Sequence, residues 1–164
     1  MEKTVYPVTP AVRLLRERKI EFAPHLYAWE EKGGTARAAA ELGVEEHAVV
    51  KTLVMETDAR KPLVVLMHGD REVSTKQLAR ALETKTVAPC PVETAQKLTG
   101  YMVGGISPFG TRTRMPVCVE STIFALPRIY LNGGKRGFLI SINPNDLRLV
   151  LPVREVQVAI SAEP

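Results

Sequence analysis

Apolar residues recur with two different periods along the chain, and this difference separates the predicted helices from the predicted strands. Helices are predicted for residues 9–19, 35–42, 74–82 and 92–99, and Asn143-Pro144 opens a further short helix. Thr9-Pro10 supplies an N-cap with proline in the first turn, and Ser74 to Gln77 fits a capping box. Gly43 and Gly100 stand where glycine ends the second and the fourth helix.

Strands are predicted for residues 49–56, 62–69, 116–120, 128–132 and 138–142, with short extended segments at 20–27 and 156–160. Polar residues 57–61 join the first two strands as a hairpin, and the glycine-rich turn 133–137 joins the last two. Helices and strands mix without regular alternation, so we predict an α+β fold with a mixed, mostly antiparallel sheet. Since no repeat or linker interrupts the sequence, residues 1–164 are predicted to form one domain.

Composition places the chain among ordinary globular proteins. It has 164 residues, 45% of them hydrophobic and 24% charged, which excludes general disorder, a collagen repeat and a coiled coil. No apolar run approaches the ~20 residues of a bilayer span, and the first ten residues lack a signal-peptide core, so we expect no membrane segment and no export. Cys90 and Cys118 are then expected to be reduced thiols in the cytoplasm.

The charged and titratable residues narrow the chemistry. A net charge of +4 fits a protein that contacts phosphates at one patch rather than one that coats a duplex. His25, His47 and His68 share no metal-ligand spacing, so no metal site is predicted. No catalytic triad or paired carboxylate stands out. An enzyme of this sequence would therefore work by positioning and polarising, with water or the substrate as nucleophile.

Lys51 lies in the middle of an apolar predicted strand. Because strand side chains alternate, it shares a face with Val49, Leu53 and Met55. An ammonium group in that position extends to an edge, pairs with an anion or lines a cavity. The functional interpretation is a cation that binds an anionic or carbonyl group of a ligand.

Two glycine-rich segments follow Lys51. In residues 100–110, GYMVGGISPFG, the adjacent glycines allow close backbone approach, and consecutive N–H groups can bind an anion or an oxyanion. The segment lacks the G-K-[ST] ending of a P-loop, and Ser107 lacks the frame of a nucleophile elbow. Residues 132–137, NGGKRG, combine glycines with two cations that can approach a phosphate. A tight loop and a solvated hairpin tip are the alternative structural interpretations.

Taken together and in this order, these segments resemble the YbaK/ProX family, the free-standing relatives of the editing domain of bacterial prolyl-tRNA synthetase. The matching segments are TPAVRLL, His25-Leu26-Tyr27, Val50-Lys51-Thr52-Leu53, GYMVGGISPFG and GGKRG. The resemblance extends over residues 9–159. It implies a curved, partly barrel-like sheet with flanking helices. It also implies hydrolysis of the ester bond of mischarged aminoacyl-tRNA without metal or other cofactor.

The resemblance also implies roles for individual residues. Lys51 matches the lysine that family members need for deacylation, and Tyr27 and Thr52 match positions beside the aminoacyl pocket. The loop of Gly104, Gly105, Ile106, Ser107 and Pro108 matches the G-x-x-x-P loop that lines that pocket, and Asn132, Gly133, Gly134 and Lys135 are expected to contact the substrate. The attacking group is left open among water, the ribose hydroxyl and, for a cysteinyl ester, the substrate thiol.

Two positions depart from the branch of the family that is specialised for cysteinyl-tRNA. Asn132 stands where that branch commonly has Ser, and Leu139 stands where it has Asp. An apolar residue at position 139 disfavours a polar end to the pocket, so the aminoacyl group is left open among cysteinyl, alanyl and other small groups.

The sequence therefore predicts a deacylase that removes small amino acids from mischarged tRNA, with proline tRNA as the expected substrate and prolyl-tRNA synthetase as a candidate partner. The alternative is a non-catalytic module that binds tRNA ends or nucleotides. A third hypothesis is an esterase of small molecules that needs no RNA.

Overall fold

The structure is a computed structural model that describes residues 5–162. Five α-helices are present in this range: α1 (Pro10–Glu17), α2 (Gly34–Leu42), α3 (Thr75–Ala81), α4 (Val92–Thr99) and α5 (Leu147–Val150). Short 3-10 turns occupy Glu46–Ala48, Ser121–Ala125 and Pro144–Asp146. Within residues 5–162 no helix combines the length and the apolar character that crossing a bilayer requires.

Ten strands alternate irregularly with these helices, so the predicted α+β class is confirmed. They are β1 (Ala23–Leu26), β2 (Val50–Thr57), β3 (Pro62–His68), β4 (Arg71–Val73), β5 (Val87–Pro89), β6 (Val117–Glu120), β7 (Ile129–Lys135), β8 (Phe138–Ile142), β9 (Val153–Val156) and β10 (Ala159–Ser161). The strands β4 and β5 were not predicted, because three residues are too few for a visible alternation.

The helix ends follow the predicted caps. Thr9 Oγ1 accepts a hydrogen bond from Val12 N at 3.2 Å and starts α1, and Ser74 Oγ accepts from Gln77 N at 3.2 Å and starts α3. Gly43 ends α2 with φ +68°, a conformation that costs glycine little. These local signals are why the helix bounds agree closely with the sequence pattern.

The strands form three sheets. The order is β5-β2-β3-β6-β9 in a five-stranded sheet, β1-β8-β7 in a three-stranded sheet and β10-β4 in a two-stranded sheet. Within residues 5–162 the pairs β3–β6 and β6–β9 are parallel and the other strand pairs are antiparallel. The sheet is therefore mixed and mostly antiparallel, as predicted.

The curved, partly barrel-like sheet that the resemblance implies does not close into a barrel. The five-stranded and three-stranded sheets meet at a single parallel bridge between Val49 and Tyr130, where β2 begins. Further along, the same edge of β2 pairs with β5 at Met55 to Thr57 instead. The two sheets therefore diverge along β2, and the barrel stays open.

The single final strand predicted over residues 156–160 is wrong: β9 ends at Val156, β10 begins at Ala159, and the two belong to different sheets. β9 pairs with β6, whereas β10 pairs with β4. The buried carboxylate of Glu120 lies at this crossing, and its Oε1 accepts hydrogen bonds from Val158 N at 2.7 Å and Ala159 N at 3.0 Å. Glu120 thus satisfies the amides of the segment that passes from one sheet to the other.

Apolar side chains fill both faces of the five-stranded sheet. Val64 and Leu66 of β3 join the core under α1 and β8, while Val65 and Met67 join the core under α3. Because β3 is buried on both faces, its apolar run is continuous. A third, smaller cluster of Ala38, Ala39, Val49 and Leu139 packs α2 against the region where the two sheets diverge.

Replacing Thr9 by alanine should destabilise the protein more than replacing Ser74, although both residues cap helices. Each substitution removes a cap worth about 1 kcal/mol. Thr9 Oγ1 also donates to the carbonyl of Gly133 at 2.5 Å, so Thr9→Ala leaves that buried acceptor unpaired. We expect urea denaturation to give a loss of about 2 kcal/mol for Thr9→Ala and about 1 kcal/mol for Ser74→Ala. Equal losses would contradict the role of the second hydrogen bond.

Candidate active site

A cavity of about 500 Å³ lies beside the first residues of β2, where the two sheets diverge. Its size is within the ~300–1,000 Å³ range of small-molecule sites. The residues that line it come from the segment after β1, from α2, β2, the 100–110 loop, β7 and β8: Tyr27, Trp29, Glu30, Glu31, Lys32, Gly34, Thr35, Ala38, Val49, Val50, Lys51, Thr52, Val103, Gly104, Ile106, Asn132, Arg136 and Leu139.

The lining changes character with depth. The buried floor consists of Ala38, Val49, Val50 and Leu139, all of them apolar. Half-buried walls carry polar groups and are formed by Tyr27, Thr35, Lys51, Thr52, Ile106 and Asn132. The outer rim combines the half-buried Trp29 with the exposed Val103, Gly104 and Arg136. The cavity can therefore hold a ligand that is apolar at one end and polar further out.

Lys51 is held in the wall by the register of the hairpin, in which it lies opposite Met67 of β3. It is half-buried, and within residues 5–162 no carboxylate lies within 4.0 Å of its ammonium group. Of the three positions open to an ammonium in this strand, the structure shows the one that lines a cavity. A half-buried cation without an ion pair is available to an anionic or carbonyl group of a ligand.

Thr52, the next residue, has the least satisfied side chain of the cavity. Its Oγ1 is buried and has no hydrogen-bond partner in the described part of the chain. Buried hydroxyl groups are normally paired, so an orphan at a cavity wall is a candidate contact for a polar ligand atom. Tyr27 lies in the same wall, and burial raises the pKa of its phenol above the usual value, so it stays a neutral hydrogen-bonding group.

The 100–110 loop lines the cavity with Val103, Gly104 and Ile106. The predicted contacts Gly105, Ser107 and Pro108 do not line it. Gly105 is buried, its N–H donates to Met102 O at 2.8 Å, and a Cβ there would lie 2.8 Å from the backbone nitrogen of Arg136. Glycine at position 105 therefore allows the two backbone segments to pack closely.

The end of this loop points into the body of the protein rather than into the cavity. Ser107 is fully buried, and its Oγ accepts from Phe109 N at 3.1 Å. Pro108 lines a different cavity, of about 280 Å³. Neither residue is placed to contact a ligand bound beside Lys51.

Asn132 connects the 100–110 loop to the end of β7. Its Nδ2 donates to the carbonyl of Gly104 at 3.0 Å, and its Oδ1 accepts from the backbone of Gly134 at 2.7 Å and Lys135 at 3.1 Å. Leu139 lies directly opposite Asn132 in the antiparallel pair and also lines the cavity. The two positions that depart from the cysteinyl branch are thus cross-strand neighbours, one in the wall and one in the floor of the cavity.

The predicted turn over residues 133–137 is shorter than expected, because β7 runs on to Lys135 with a shift of register after Asn132, and only Arg136 and Gly137 form the turn. The carbonyl of Gly133 accepts from Thr9, and a Cβ at that position would clash with the ring of Phe138. Gly134 has φ +103°, which other residues rarely adopt. Lys135 is exposed, and like both glycines it does not line the cavity.

Trp29 and Arg136 line the rim, and neither was among the predicted substrate contacts. The guanidinium carbon of Arg136 lies 4.4 Å from the centre of the Trp29 ring, and its Nε donates to Val103 O at 2.9 Å. Arg136 belongs to the segment that matched GGKRG, which was a usable signal. Trp29 lies in an irregular segment after β1, where no local pattern marks it.

One group of possible metal ligands occurs within residues 5–162: His47, His68 and Asp70. His68 is buried, with Nδ1 2.7 Å from His47 O and Nε2 2.7 Å from Thr122 Oγ1. The two imidazoles stack with centroids 3.7 Å apart and planes 7° apart. A metal ion lies near the plane of each imidazole that binds it, and two stacked parallel rings share no such position. The arrangement fits a structural cluster at the base of β2.

Comparison with known proteins identifies the family. Residues 30–149 match the family described as "Aminoacyl-tRNA editing domain". The chain is 31% identical over 144 residues to the Enterococcus faecalis protein named "Putative Cys-tRNA(Pro)/Cys-tRNA(Cys) deacylase EbsC", covering 87% of this chain and 88% of that protein. It is also 33% identical over 119 residues to the proline–tRNA ligase of Geotalea daltonii, covering 73% of this chain and 19% of the ligase.

A solved structure supports the fold. The structure of "a putative trans-editing enzyme for prolyl tRNA synthetase" superposes with a TM-score of 0.80 at 20% identity, covering 94% of this chain and all of that one. The chain belongs to the aminoacyl-tRNA editing domain family, and the family predicted from the sequence is confirmed.

His68 should titrate below the usual histidine value, because burial lowers its pKa from 6.5. The unfolded chain takes up this proton near pH 6.5 and the folded chain only at lower pH. The free energy of unfolding is thus fully retained above pH 6.5 and falls as the pH decreases below it. NMR titration of the His68 ring protons is expected to give a midpoint below 6.5. A midpoint at or above 6.5 would contradict the buried, stacked geometry.

Proposed function

We propose that the chain is an aminoacyl-tRNA deacylase that hydrolyses the ester between a small amino acid and the terminal adenosine of mischarged tRNA. Family membership confirms the predicted class of reaction. The observation that supports it in this chain is the cavity in which Lys51, with no carboxylate partner in residues 5–162, shares a lining with Thr52, Asn132 and an apolar floor.

Lys51 is proposed as the catalytic residue. When a nucleophile adds to the ester carbonyl, negative charge develops on the carbonyl oxygen, and a positioned ammonium stabilises that charge. In the net reaction, water supplies a hydroxyl to the acyl carbon, the bond from that carbon to the ribose oxygen breaks, and the ribose oxygen takes up the proton. The ammonium acts by charge and position.

Thr52 is proposed to bind the substrate. An aminoacyl ester carries an α-ammonium group that needs a hydrogen-bond acceptor when it leaves water. The unpaired Oγ1 of Thr52 is such an acceptor, and Thr52 lines the same cavity as Lys51. Since the α-ammonium lies two bonds from the ester carbonyl carbon, one residue can hold each group.

The floor is proposed to select the amino acid. Ala38, Val49, Val50 and Leu139 offer no hydrogen bond to a side chain that reaches them, so methyl and thiol side chains are accommodated better than a hydroxyl. We therefore propose alanyl and cysteinyl esters as substrates.

The choice of tRNA rests on the relatives. The Enterococcus faecalis relative is named for Cys-tRNA(Pro) and Cys-tRNA(Cys), and the Geotalea daltonii relative is a proline–tRNA ligase. Proline tRNA in the cytoplasm is the proposed carrier, with prolyl-tRNA synthetase as a proposed partner.

Lys51→Ala should lower deacylation of Ala-tRNA(Pro) and Cys-tRNA(Pro) by ~100-fold or more, the usual effect of removing one oxyanion-stabilising group. Release of free amino acid is measured against Lys61→Ala, which removes an equal charge from the exposed turn between β2 and β3. The Lys61 variant should retain wild-type turnover.

Undiminished turnover in folded Lys51→Ala would remove Lys51 from the mechanism. Binding of tRNA without release of any amino acid by the wild type would instead favour the non-catalytic alternative. Turnover of aminoacyl-adenosine at the same kcat/KM as full tRNA would favour the esterase hypothesis.

Thr52→Val should separate substrate binding from stability. Valine has the same shape without the hydroxyl, and removing an unpaired buried hydroxyl should leave the free energy of unfolding unchanged or slightly higher. If the hydroxyl accepts from the α-ammonium, kcat/KM should fall about tenfold, an effect typical of losing one hydrogen bond to a charged group. An unchanged kcat/KM would show that Thr52 does not contact the substrate.

A further inference from the structure

The rim of the cavity carries a planar cationic surface that the deacylation chemistry does not use. The Arg136 guanidinium lies over the Trp29 ring, with 4.4 Å from its carbon to the ring centre. Nε of Arg136 is held by the carbonyl of Val103 at 2.9 Å. Arg136 is exposed, and within residues 5–162 no carboxylate lies within 4.0 Å of it. A fixed, flat group of this kind is suited to stacking against a nucleobase.

Because Gly104 has no side chain, Trp29 and Arg136 can pack against its backbone. It has φ +94°, and a Cβ at this position would lie 3.1 Å from Arg136 Nε and 3.2 Å from Cζ2 of Trp29. The Asn132 side chain holds the Gly104 carbonyl at 3.0 Å, which fixes the loop next to the pair. The rim is thus assembled from three separate segments of the chain, and each segment restrains the others.

The volume of the cavity also exceeds what an amino acid needs. An alanyl group has five non-hydrogen atoms, and a cavity of about 500 Å³ has room for a larger part of the substrate. The apolar floor accounts for the amino-acid side chain, and Lys51 and Thr52 account for the ester and the amine. The rim therefore remains for the next part of the substrate, which in an aminoacyl-tRNA is a nucleoside.

The charges of the rim favour a base over a bare phosphate. Glu30 and Glu31 line the same cavity as Lys32 and Arg136, so the rim is not uniformly positive. Glu30 is partly neutralised by Arg37, at 3.5 Å, whereas Glu31 has no cation within 4.0 Å among the described residues. A neutral aromatic base is not repelled by these carboxylates, and Arg136 remains free to pair with the phosphate that follows it.

We propose that Trp29 and Arg136 form the subsite for the terminal nucleotide of the tRNA. The adenine stacks on the Trp29–Arg136 pair, and the guanidinium N–H groups bind the adjoining phosphate. The subsite rests on the proposed function, since it supposes that the ester lies at Lys51 deeper in the same cavity.

Trp29 is the one tryptophan in the chain, so its fluorescence reports directly on the rim. Titration with adenosine 5′-monophosphate should quench this fluorescence, and ribose 5-phosphate, which has no base, should not. Equal quenching by both compounds would overturn base stacking. Arg136→Met should weaken the quenching by the mononucleotide about tenfold in affinity. An unchanged affinity would remove Arg136 from the subsite.

Kinetics on full Ala-tRNA(Pro) supply the second measurement. Trp29→Leu should raise KM about tenfold, a usual effect of losing one base–aromatic stack, and should affect KM more than kcat. Trp29→Phe keeps an aromatic face and should restore most of the lost KM. A KM unchanged in Trp29→Leu, or raised equally in both variants, would overturn the proposal.

A matched control is available in Arg148, whose guanidinium carbon lies 3.9 Å from the centre of the Phe124 ring, outside the cavity lining. Arg148→Met removes a similar cation–π pair and should leave KM unchanged. The two proposals fail differently. Turnover by the wild type with no effect of Trp29→Leu removes the subsite and keeps the deacylase. Mononucleotide binding at Trp29 without turnover of any mischarged tRNA removes the deacylase and keeps a nucleotide site.

Discussion

The site depends on one backbone constraint, the sharing of β2 between two sheets that diverge. At its start the strand touches the three-stranded sheet through the bridge between Val49 and Tyr130, while Val50 lies opposite His68 within the five-stranded sheet. Lys51 follows at once, in the space that opens between the sheets. Because hairpin register fixes the face of every side chain, a slip of one residue would move the ammonium to the opposite face.

Two loops that belong to different parts of the chain close this space by holding each other. The Asn132 side chain bonds the Gly104 carbonyl, and Gly105 packs its backbone directly on the backbone of Arg136. Most glycines in these loops therefore permit close packing, and only Gly104 lines the cavity itself. Preorganisation of this kind lets a small protein hold a cation and polar groups in fixed positions.

Polarity increases from the floor of the cavity to its rim, and this gradient matches the order of groups along an aminoacyl-tRNA end. An apolar floor can gain little binding energy from a side chain as small as alanyl, since one methylene in a pocket is worth only about 1–3 kcal/mol. In the proposed mode of binding, the nucleotide at Trp29 and Arg136 supplies affinity that the amino acid lacks, and Lys51 and Thr52 are left for the ester and the amine.

The sequence by itself determined the helices, the β2–β3 hairpin and the placement of Lys51 among apolar strand residues, since caps, turns and alternation act over a few neighbouring positions. Together the motifs also determined the family. Only the tertiary structure decided that the sheets stay open, that Glu120 binds the crossing between the last two strands, that Ser107 and Pro108 do not line the cavity and that Arg136 lies over Trp29. Each of these outcomes depends on contacts between residues far apart in the chain. A local sequence pattern cannot predict such contacts.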